Sequence, residues 1–87
     1  MSKIEIYSTA TCPYCVAAKN LLKSRGLEWT EMRVDTDPAQ RQTMLARSGG
    51  ARTVPQIFVN DHYIGGFNEL AAADHSGELK QLLDSAA

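Results

Sequence analysis

The chain has 87 residues, of which 44% are apolar, and nine basic and ten acidic side chains leave a formal net charge of −1 at pH 7. This length is enough for one small domain, which we expect to span residues 1–87. The near-balance of charge argues against nucleic acid as a partner, because phosphate binding usually requires a basic excess. No stretch approaches the roughly 18 apolar residues of a membrane span, and Glu5 interrupts the apolar stretch that a secretory signal would need. We therefore expect a cytoplasmic protein that does not bind a membrane.

The first two predicted elements are a strand and a helix joined by a short loop. Residues 3–8 (KIEIYS) alternate apolar and polar side chains, which is typical of a strand. Pro13 suits the first turn of a helix, where its missing N–H is not needed, and Gly26 can end that helix in the left-handed conformation. Cys12 is therefore expected at or beside the N-cap of this helix.

A second strand and a second helix follow. Residues 27–35 (LEWTEMRVD) are expected to form the strand, with Trp29 as a packing residue. Asp37 and Pro38 fit the N-cap and the first position of a helix that runs as far as residues 48–50 (SGG).

The remainder of the chain predicts a hairpin and two helices. Residues 55–59 (PQIFV) and 62–65 (HYIG) flank residues 60–61 (ND), a pair that favours a tight turn. Beyond the hairpin, Asn68 can cap a third helix and Ser76 a short fourth one.

The predicted order of elements is βαβαββαα, which indicates an α/β fold. A strand–helix–strand start implies parallel strands joined by a right-handed crossover, and the later hairpin adds antiparallel strands. We therefore expect a four-stranded mixed sheet with helices packed against it.

Cys12 and Cys15 are the two cysteines of the chain, and three interpretations of the pair are open. A structural disulfide would gain little, because closing a four-residue loop is worth about 2 kcal/mol against about 3 kcal/mol for fifteen residues. A structural zinc site normally needs four Cys or His ligands. His62 and His75 lie in unrelated segments, so we predict no metal site. Since cytosolic disulfides are usually transient, we favour a redox-active pair.

The expected place of Cys12 favours its thiolate, because unpaired backbone N–H groups and the positive end of the helix dipole lie at a helix N-terminus. A thiolate stabilised in this way is also a better leaving group, which suits repeated thiol–disulfide exchange. Cys15 lies on the same helix face as Cys12, a spacing that puts their Cβ atoms about 5–6 Å apart. A disulfide needs a Cβ–Cβ distance of about 3.5–4.5 Å, so forming the Cys12–Cys15 bond requires a local adjustment. We expect Cys12 to attack the substrate disulfide. Cys15, which should be less exposed, is expected to resolve the mixed disulfide that forms.

Three motifs resemble those of one known family. Residues 11–15 (TCPYC), 52–59 (RTVPQIFV) and 62–70 (HYIGGFNEL) together are similar to the dithiol glutaredoxins of the thioredoxin-like superfamily, and the resemblance covers essentially the whole chain. Thioredoxins usually carry Gly-Pro between the cysteines, whereas Pro13 and Tyr14 are the glutaredoxin form. The resemblance implies a thioredoxin-like (glutaredoxin) fold.

The resemblance also implies a function, that of a glutathione-dependent thiol–disulfide oxidoreductase. Its substrates would be protein–glutathione mixed disulfides and protein disulfides. Glutathione would serve as the reductant, no cofactor would be tightly bound, and we expect a monomer. The partners would then be glutathione and glutathionylated or disulfide-containing proteins.

A glutathione-binding groove beside Cys12 follows from the same resemblance. In the family the Thr-Val-Pro segment presents backbone groups to the cysteinyl unit of glutathione, and its proline is cis. Helix N-terminal N–H groups could bind the γ-glutamyl carboxylate. An ordinary start of a strand and ordinary capping residues are the alternatives to these roles. The residues expected to bind glutathione are Thr9, Pro13, Tyr14, Thr53, Val54, Pro55, Gly66, Asn68 and Glu69.

Two departures from the family pattern affect this groove. Relatives commonly have Lys in place of Thr9, where it reaches the glycyl carboxylate of glutathione, and Arg47 and Arg52 are candidates to supply the missing positive charge. Asn68 and Glu69 stand where the family usually has Ser, Thr or Asp followed by Asp. Glu69 would therefore replace a shorter carboxylate in meeting the α-amino group. We expect somewhat weaker glutathione affinity and an unchanged reaction.

Two other functions remain as alternatives. A dimer could share an iron–sulfur cluster through two Cys12 thiolates and two glutathiones, but Pro13 and the resolving Cys15 argue against it, because cluster-binding relatives usually have a Gly-containing monothiol motif. A thioredoxin-type protein reduced by a flavoprotein reductase is disfavoured by Pro13 and Tyr14.

Overall fold

A four-stranded sheet with four helices forms the part of the chain that the computed structural model describes, residues 3–84. The elements are β1 (Ile4–Ser8), α1 (Pro13–Ser24), β2 (Thr30–Arg33), α2 (Pro38–Arg47), β3 (Gln56–Val59), β4 (His62–Gly65), α3 (Phe67–Ser76) and α4 (Glu78–Asp84). The predicted order βαβαββαα is confirmed. The second strand is shorter than the predicted span of residues 27–35, because it comprises only the residues that pair with β1.

The sheet is mixed, with strand order β2-β1-β3-β4. β1 runs parallel to β2 and antiparallel to β3, and β3 and β4 form the predicted hairpin. At its turn Asn60 and Asp61 have φ of 51° and 68°, the left-handed pair that tight hairpin turns require. Because Tyr7 pairs with Gln56, the end of β1 and the start of β3 lie at the same edge of the sheet. This edge carries the loop between β1 and α1, residues 9–12, which we call the cysteine loop.

Apolar side chains fill both faces of the sheet, since side chains alternate along each strand. The larger cluster lies on the face covered by α1, α3 and α4, and it contains Ile4, Ile6, Ala18, Leu22, Ile57, Val59, Leu70, Ala73 and Leu79. The smaller cluster lies under α2 and contains Tyr7, Val34, Met44 and Phe58. Trp29 packs against the larger cluster, as predicted.

The first two helices begin where the sequence predicts. Cys12 is the N-cap of α1, and Gly26, with φ of 70°, donates its N–H to the carbonyl oxygen of Lys23 at 3.0 Å. Asp37 caps α2 by accepting from the N–H of Ala39 at 3.0 Å.

The predicted start of the third helix is wrong. The N-cap of α3 is Gly66, so Asn68 lies inside the first turn. Glu69 supplies the capping group, because its Oε1 accepts from the N–H of Gly66 at 2.7 Å. The predicted cap of the fourth helix is also displaced: Ser76 is the last residue of α3, and Gly77 separates it from α4, although its Oγ accepts from the N–H of Glu78 at 3.3 Å. None of the helices within residues 3–84 is long and apolar enough to cross a membrane.

Arg47 ties α2 to the sheet. Its guanidinium lies 4.0 Å from the centre of the Phe58 ring and donates to the Tyr7 hydroxyl and to Glu5, each at 3.0 Å. A further ion pair with Asp61 places this group at the hairpin-turn end of the sheet, away from the cysteine loop.

Replacing Arg47 with Ala should lower the free energy of unfolding by about 1–3 kcal/mol, because the buried Tyr7 hydroxyl and the half-buried Glu5 lose a charged hydrogen-bond donor. Urea titration of both proteins measures this difference. Arg41→Ala, an exposed change on the same helix, is the control and should stay within about 0.5 kcal/mol. Equal effects of the two changes would contradict the assignment.

Candidate active site

Cys12 joins the cysteine loop to the start of α1. Its backbone is extended, with φ of −94° and ψ of 113°, and its Sγ accepts from the N–H of Cys15 at 3.3 Å. The same sulfur lies 3.6 Å from the carbonyl oxygen of Val54. Cys12 is half-buried, so its sulfur remains within reach of a substrate. The sulfur of Cys12 therefore lies at the positive end of α1, with a backbone N–H directed at it.

Cys15 differs from Cys12 in its surroundings, although both are free thiols. Cys15 is fully buried. Burial raises the pKa of the Cys15 thiol to about 11, and its hydrogen bond with Cys12 and the charge of Cys12 act in the same direction. A backbone hydrogen bond with Thr9 and the charge of Lys19 oppose them. Near neutral pH Cys15 is therefore an uncharged, buried thiol, whereas Cys12 is partly exposed.

A groove of about 310 Å³ opens between the start of α1, the segment before β3 and the start of α3. It is lined by Tyr14, Thr53, Val54, Pro55, Gly66, Phe67, Asn68 and Glu69. All of these except Phe67 are residues that the sequence predicts for glutathione binding. The peptide bond between Val54 and Pro55 is cis, as the family resemblance implies. A larger cavity, of about 400 Å³, lies at the far end of α1, away from the cysteines.

Two of the predicted residues stand outside the lining of this groove. Pro13 is the exposed first residue of α1. Thr9 is half-buried, and its backbone hydrogen-bonds the sulfur of Cys15. The structure therefore brings Thr9 to the resolving cysteine.

Phe67 is a groove residue that the sequence did not single out. Its ring centre lies 6.2 Å from that of Tyr14, which is 62% exposed, and the two rings form one wall of the groove. The family pattern tolerates any residue at this position, so only the apolar character of a residue directly after two glycines could have indicated it.

Comparison with known proteins assigns the family. The family model described as Glutaredoxin matches residues 4–64. The chain belongs to the glutaredoxin family. It is 47% identical over 83 residues to Glutaredoxin 3 of Escherichia coli strain K12, covering 95% of this chain and 99% of that protein. It is 50% identical over 82 residues to a probable glutaredoxin of Synechocystis, covering 94% of this chain and 75% of that protein.

Solved structures agree with this assignment. The crystal structure of a buckwheat glutaredoxin–glutathione complex superposes with a TM-score of 0.85 at 25% identity, covering 97% of this chain and 78% of that one. The predicted thioredoxin-like fold is thus confirmed. Membership of the family implies thiol–disulfide oxidoreductase activity, and the two cysteines lie close together as that activity needs.

In this glutaredoxin the double glycine permits close packing of the groove wall. Gly65 has φ of 119°, and a Cβ there would lie 2.9 Å from Cγ of Glu69. A Cβ on Gly66 would lie 3.4 Å from the carbonyl oxygen of Pro55. The glycines therefore allow Glu69 to fold back onto the start of its own helix, where it acts as a cap.

The structure separates the two arginines proposed to compensate for Thr9. Arg47 pairs with Glu5 and Asp61 at the opposite end of the sheet, so the hypothesis that it serves the groove is wrong. Arg52 is exposed and precedes Thr53 of the groove, and it remains a candidate.

A charged clamp holds the cysteine loop against the end of β2. Asp35 Oδ2 accepts from the N–H of Ala10 at 3.0 Å, and Arg33 donates to both oxygens of Asp35 at 2.9 and 2.7 Å. The hydrogen bonds from Arg33 and Ala10 hold the pKa of the Asp35 carboxyl well below its usual range. The clamp is therefore charged throughout the neutral and mildly acidic range.

Asp35→Asn should reduce the loss of stability on acidification. A carboxyl whose pKa is lower in the folded than in the unfolded state stabilises the fold above its unfolded pKa, and this contribution is lost as the pH falls. Urea midpoints measured from about pH 6 to about pH 3 should therefore decline less steeply in the variant. Glu28→Gln, at an exposed site, serves as the control and should keep the wild-type decline. If the urea midpoints of wild type and Asp35→Asn declined equally with pH, the stabilising role given to Asp35 would be wrong.

Proposed function

We propose that this glutaredoxin is a glutathione-dependent oxidoreductase that reduces protein–glutathione mixed disulfides and protein disulfides. Cys12 is the nucleophile and Cys15 the resolving thiol. One observation carries the proposal: the partly exposed sulfur of Cys12, at a helix N-terminus, lies 3.6 Å from the carbonyl oxygen of Val54 in the groove lining, while Cys15 is buried. The glutathione complex of the buckwheat relative supports glutathione as the ligand of that groove.

The groove offers complementary groups to each part of glutathione. The backbone N–H and C=O of Val54 can pair with the cysteinyl unit as one strand pairs with another, and the Val54 carbonyl lies 3.6 Å from the Cys12 sulfur. The N-terminal N–H groups of α3 at Asn68 and Glu69 can bind the γ-glutamyl carboxylate. Tyr14 and Phe67 form an apolar wall beside the sulfur.

Deglutathionylation needs Cys12 alone. The Cys12 thiolate attacks the glutathione sulfur of the mixed disulfide, the protein sulfur leaves as a thiolate and takes up a proton, and a Cys12–glutathione disulfide remains. The thiolate of a second glutathione then attacks the sulfur of the bound glutathione. Cys12 leaves as a thiolate, and oxidised glutathione is the product. The start of α1 assists this last step, because its backbone N–H groups face the sulfur on which negative charge develops as Cys12 leaves.

Reduction of a protein disulfide also needs Cys15. Cys12 attacks one sulfur of the substrate, and Cys15 then attacks Cys12 and releases the reduced protein. The hydrogen bond with Cys12 and the charge of Cys12 both raise the pKa of the Cys15 thiol. Both effects end once Cys12 is uncharged in a mixed disulfide, so Cys15 becomes easier to ionise only when it is needed. Glutathione finally reduces the Cys12–Cys15 bond.

We also propose a monomer that acts in the cytoplasm, with glutathione and with glutathionylated or disulfide-containing proteins as partners. Glutathione would bind and dissociate in each cycle rather than remain as a cofactor. The groove that includes Val54, close to the Cys12 sulfur, supports glutathione as a partner.

Cys12→Ser should abolish turnover of a glutathionylated peptide, because the attacking sulfur is gone. Cys15→Ser should retain this turnover but lose reduction of a protein disulfide. The assay follows oxidised glutathione through a glutathione reductase coupling, and circular dichroism verifies the fold of each variant. Normal turnover by Cys12→Ser would exclude the proposed function.

Thr9→Lys should strengthen glutathione binding about 2- to 5-fold, because an added cation near the groove attracts the glycyl carboxylate. Chemical-shift titration with glutathione measures the change. Thr11→Lys adds the same charge on the same loop and serves as a matched control. If both variants gained equally, the effect would be one of general charge rather than of the position of Thr9.

A further inference from the structure

Three polar side chains connect α1, β2 and β1 behind the cysteines. Lys19 Nζ forms an ion pair with Oε2 of Glu31, and the hydroxyl of Ser8 donates to the same oxygen. Ser8 is fully buried at the end of β1. Hydrogen bonds from both partners hold the pKa of the Glu31 carboxyl below its usual value, so the ion pair stays charged near neutral pH. We call these three residues the Lys19 network.

Two features of the chain connect the Lys19 network with the resolving cysteine. Lys19 follows Cys15 by one turn of α1, a spacing that puts two side chains on the same helix face with Cβ atoms about 5–6 Å apart. Thr9, which follows Ser8, hydrogen-bonds the sulfur of Cys15 through its backbone. The side chain of Lys19 is only 24% exposed, so solvent screens its charge less than that of a surface lysine.

We propose that Lys19 is a positioning residue for the resolving step: its positive charge, one helix turn from Cys15, stabilises the thiolate that Cys15 must form inside the protein. This inference rests on the proposed function, because it assigns a role in the second half of the dithiol reaction. It concerns Cys15 and leaves the attack by Cys12 as already described.

The resolving step is a thiol–disulfide exchange within the protein. The Cys12–substrate disulfide is uncharged, and Cys15 loses its proton to solvent. The Cys15 thiolate attacks the Cys12 sulfur, the Cys12–Cys15 bond forms and the bond from Cys12 to the substrate sulfur breaks. The electron pair leaves on the substrate sulfur, which takes up a proton. Cys12 and Cys15 are oxidised to a disulfide, and the substrate is reduced to thiols.

The charge of Lys19 acts on the ionisation of Cys15 that precedes its attack on the Cys12 sulfur. Burial remains the main obstacle to ionising Cys15 once Cys12 is uncharged, and the backbone hydrogen bond with Thr9 and the charge of Lys19 both oppose it. Removing that charge should lower the thiolate fraction of Cys15. Because intrinsic nucleophilicity rises as thiolate stability falls, each tenfold loss of thiolate should slow the attack about threefold.

A single-turnover experiment with oxidised glutathione separates the two halves of the reaction. The reduced protein is mixed with excess oxidised glutathione, quenched with acid at successive times and analysed by mass spectrometry. Formation of the Cys12–glutathione adduct reports the attack by Cys12, and its conversion to the internal disulfide reports the attack by Cys15. In Lys19→Gln the adduct should form at the wild-type rate and disappear about threefold or more slowly.

Three further variants test the reason for the slowing. Lys19→Arg keeps the charge and should restore the rate, and Lys23→Gln, one turn further along the same helix, should behave as wild type. Glu31→Gln breaks the ion pair but leaves the positive charge, so conversion should be at least as fast as in wild type. If Lys19→Gln does not fold, Lys19→Met replaces it.

The results that contradict the role of Lys19 differ from those that contradict the proposed function. Unchanged conversion in Lys19→Gln, or equal slowing in Lys19→Gln and Glu31→Gln, would overturn the inference, since the second result would mean that the ion pair acts only on the fold. Failure of the proposed function would look different, because the wild-type protein would then form no Cys12–glutathione adduct at all.

Discussion

The antiparallel pairing of β1 with β3 sets the geometry on which the rest of the site depends. The register places Tyr7 opposite Gln56, so the loop that follows β1 and the segment that precedes β3 meet at one edge of the sheet. This is why the Cys12 sulfur lies 3.6 Å from the carbonyl oxygen of Val54, a residue far away along the chain. A slip of one residue would turn the side chains of the shifted strand to the opposite face of the sheet, so Ile6 and Ile57 would no longer share one cluster. The packing of these residues therefore fixes the active site as well as the core.

One turn of α1 creates the chemical difference between the two cysteines. Cys12 occupies the N-cap, where backbone N–H groups are available to its sulfur, whereas Cys15 lies in the core against the sheet. The same residue type is thus partly exposed at one position and a buried, uncharged thiol at the other. The difference results from burial and from the direction of the helix, and no additional catalytic group is needed to produce it.

Charged side chains hold the cysteine loop from behind, while uncharged groups predominate in the groove in front. Arg33 and Asp35 fasten the backbone at Ala10, and Lys19 with Glu31 reaches the end of β1 through Ser8. The groove itself is formed by aromatic rings, backbone and short polar side chains, with Glu69 already bound to Gly66. The charges therefore position the loop, and the groove leaves backbone groups free to recognise a peptide-like ligand.

The sequence by itself determined the order of the elements, the N-caps at Cys12 and Asp37, the turn at residues 60–61 and, through its resemblance to a family, most of the groove lining. These features depend on neighbouring residues, because capping, turn conformation and periodicity act over a few positions. The cap of α3 was misplaced at Asn68 because a side chain from inside the helix supplies it. The role given to Arg47, the contact of Phe67 with Tyr14 and the Lys19 network were decided only by the tertiary structure. Each depends on which strand or helix lies beside it, and only the packing of the sheet settles that.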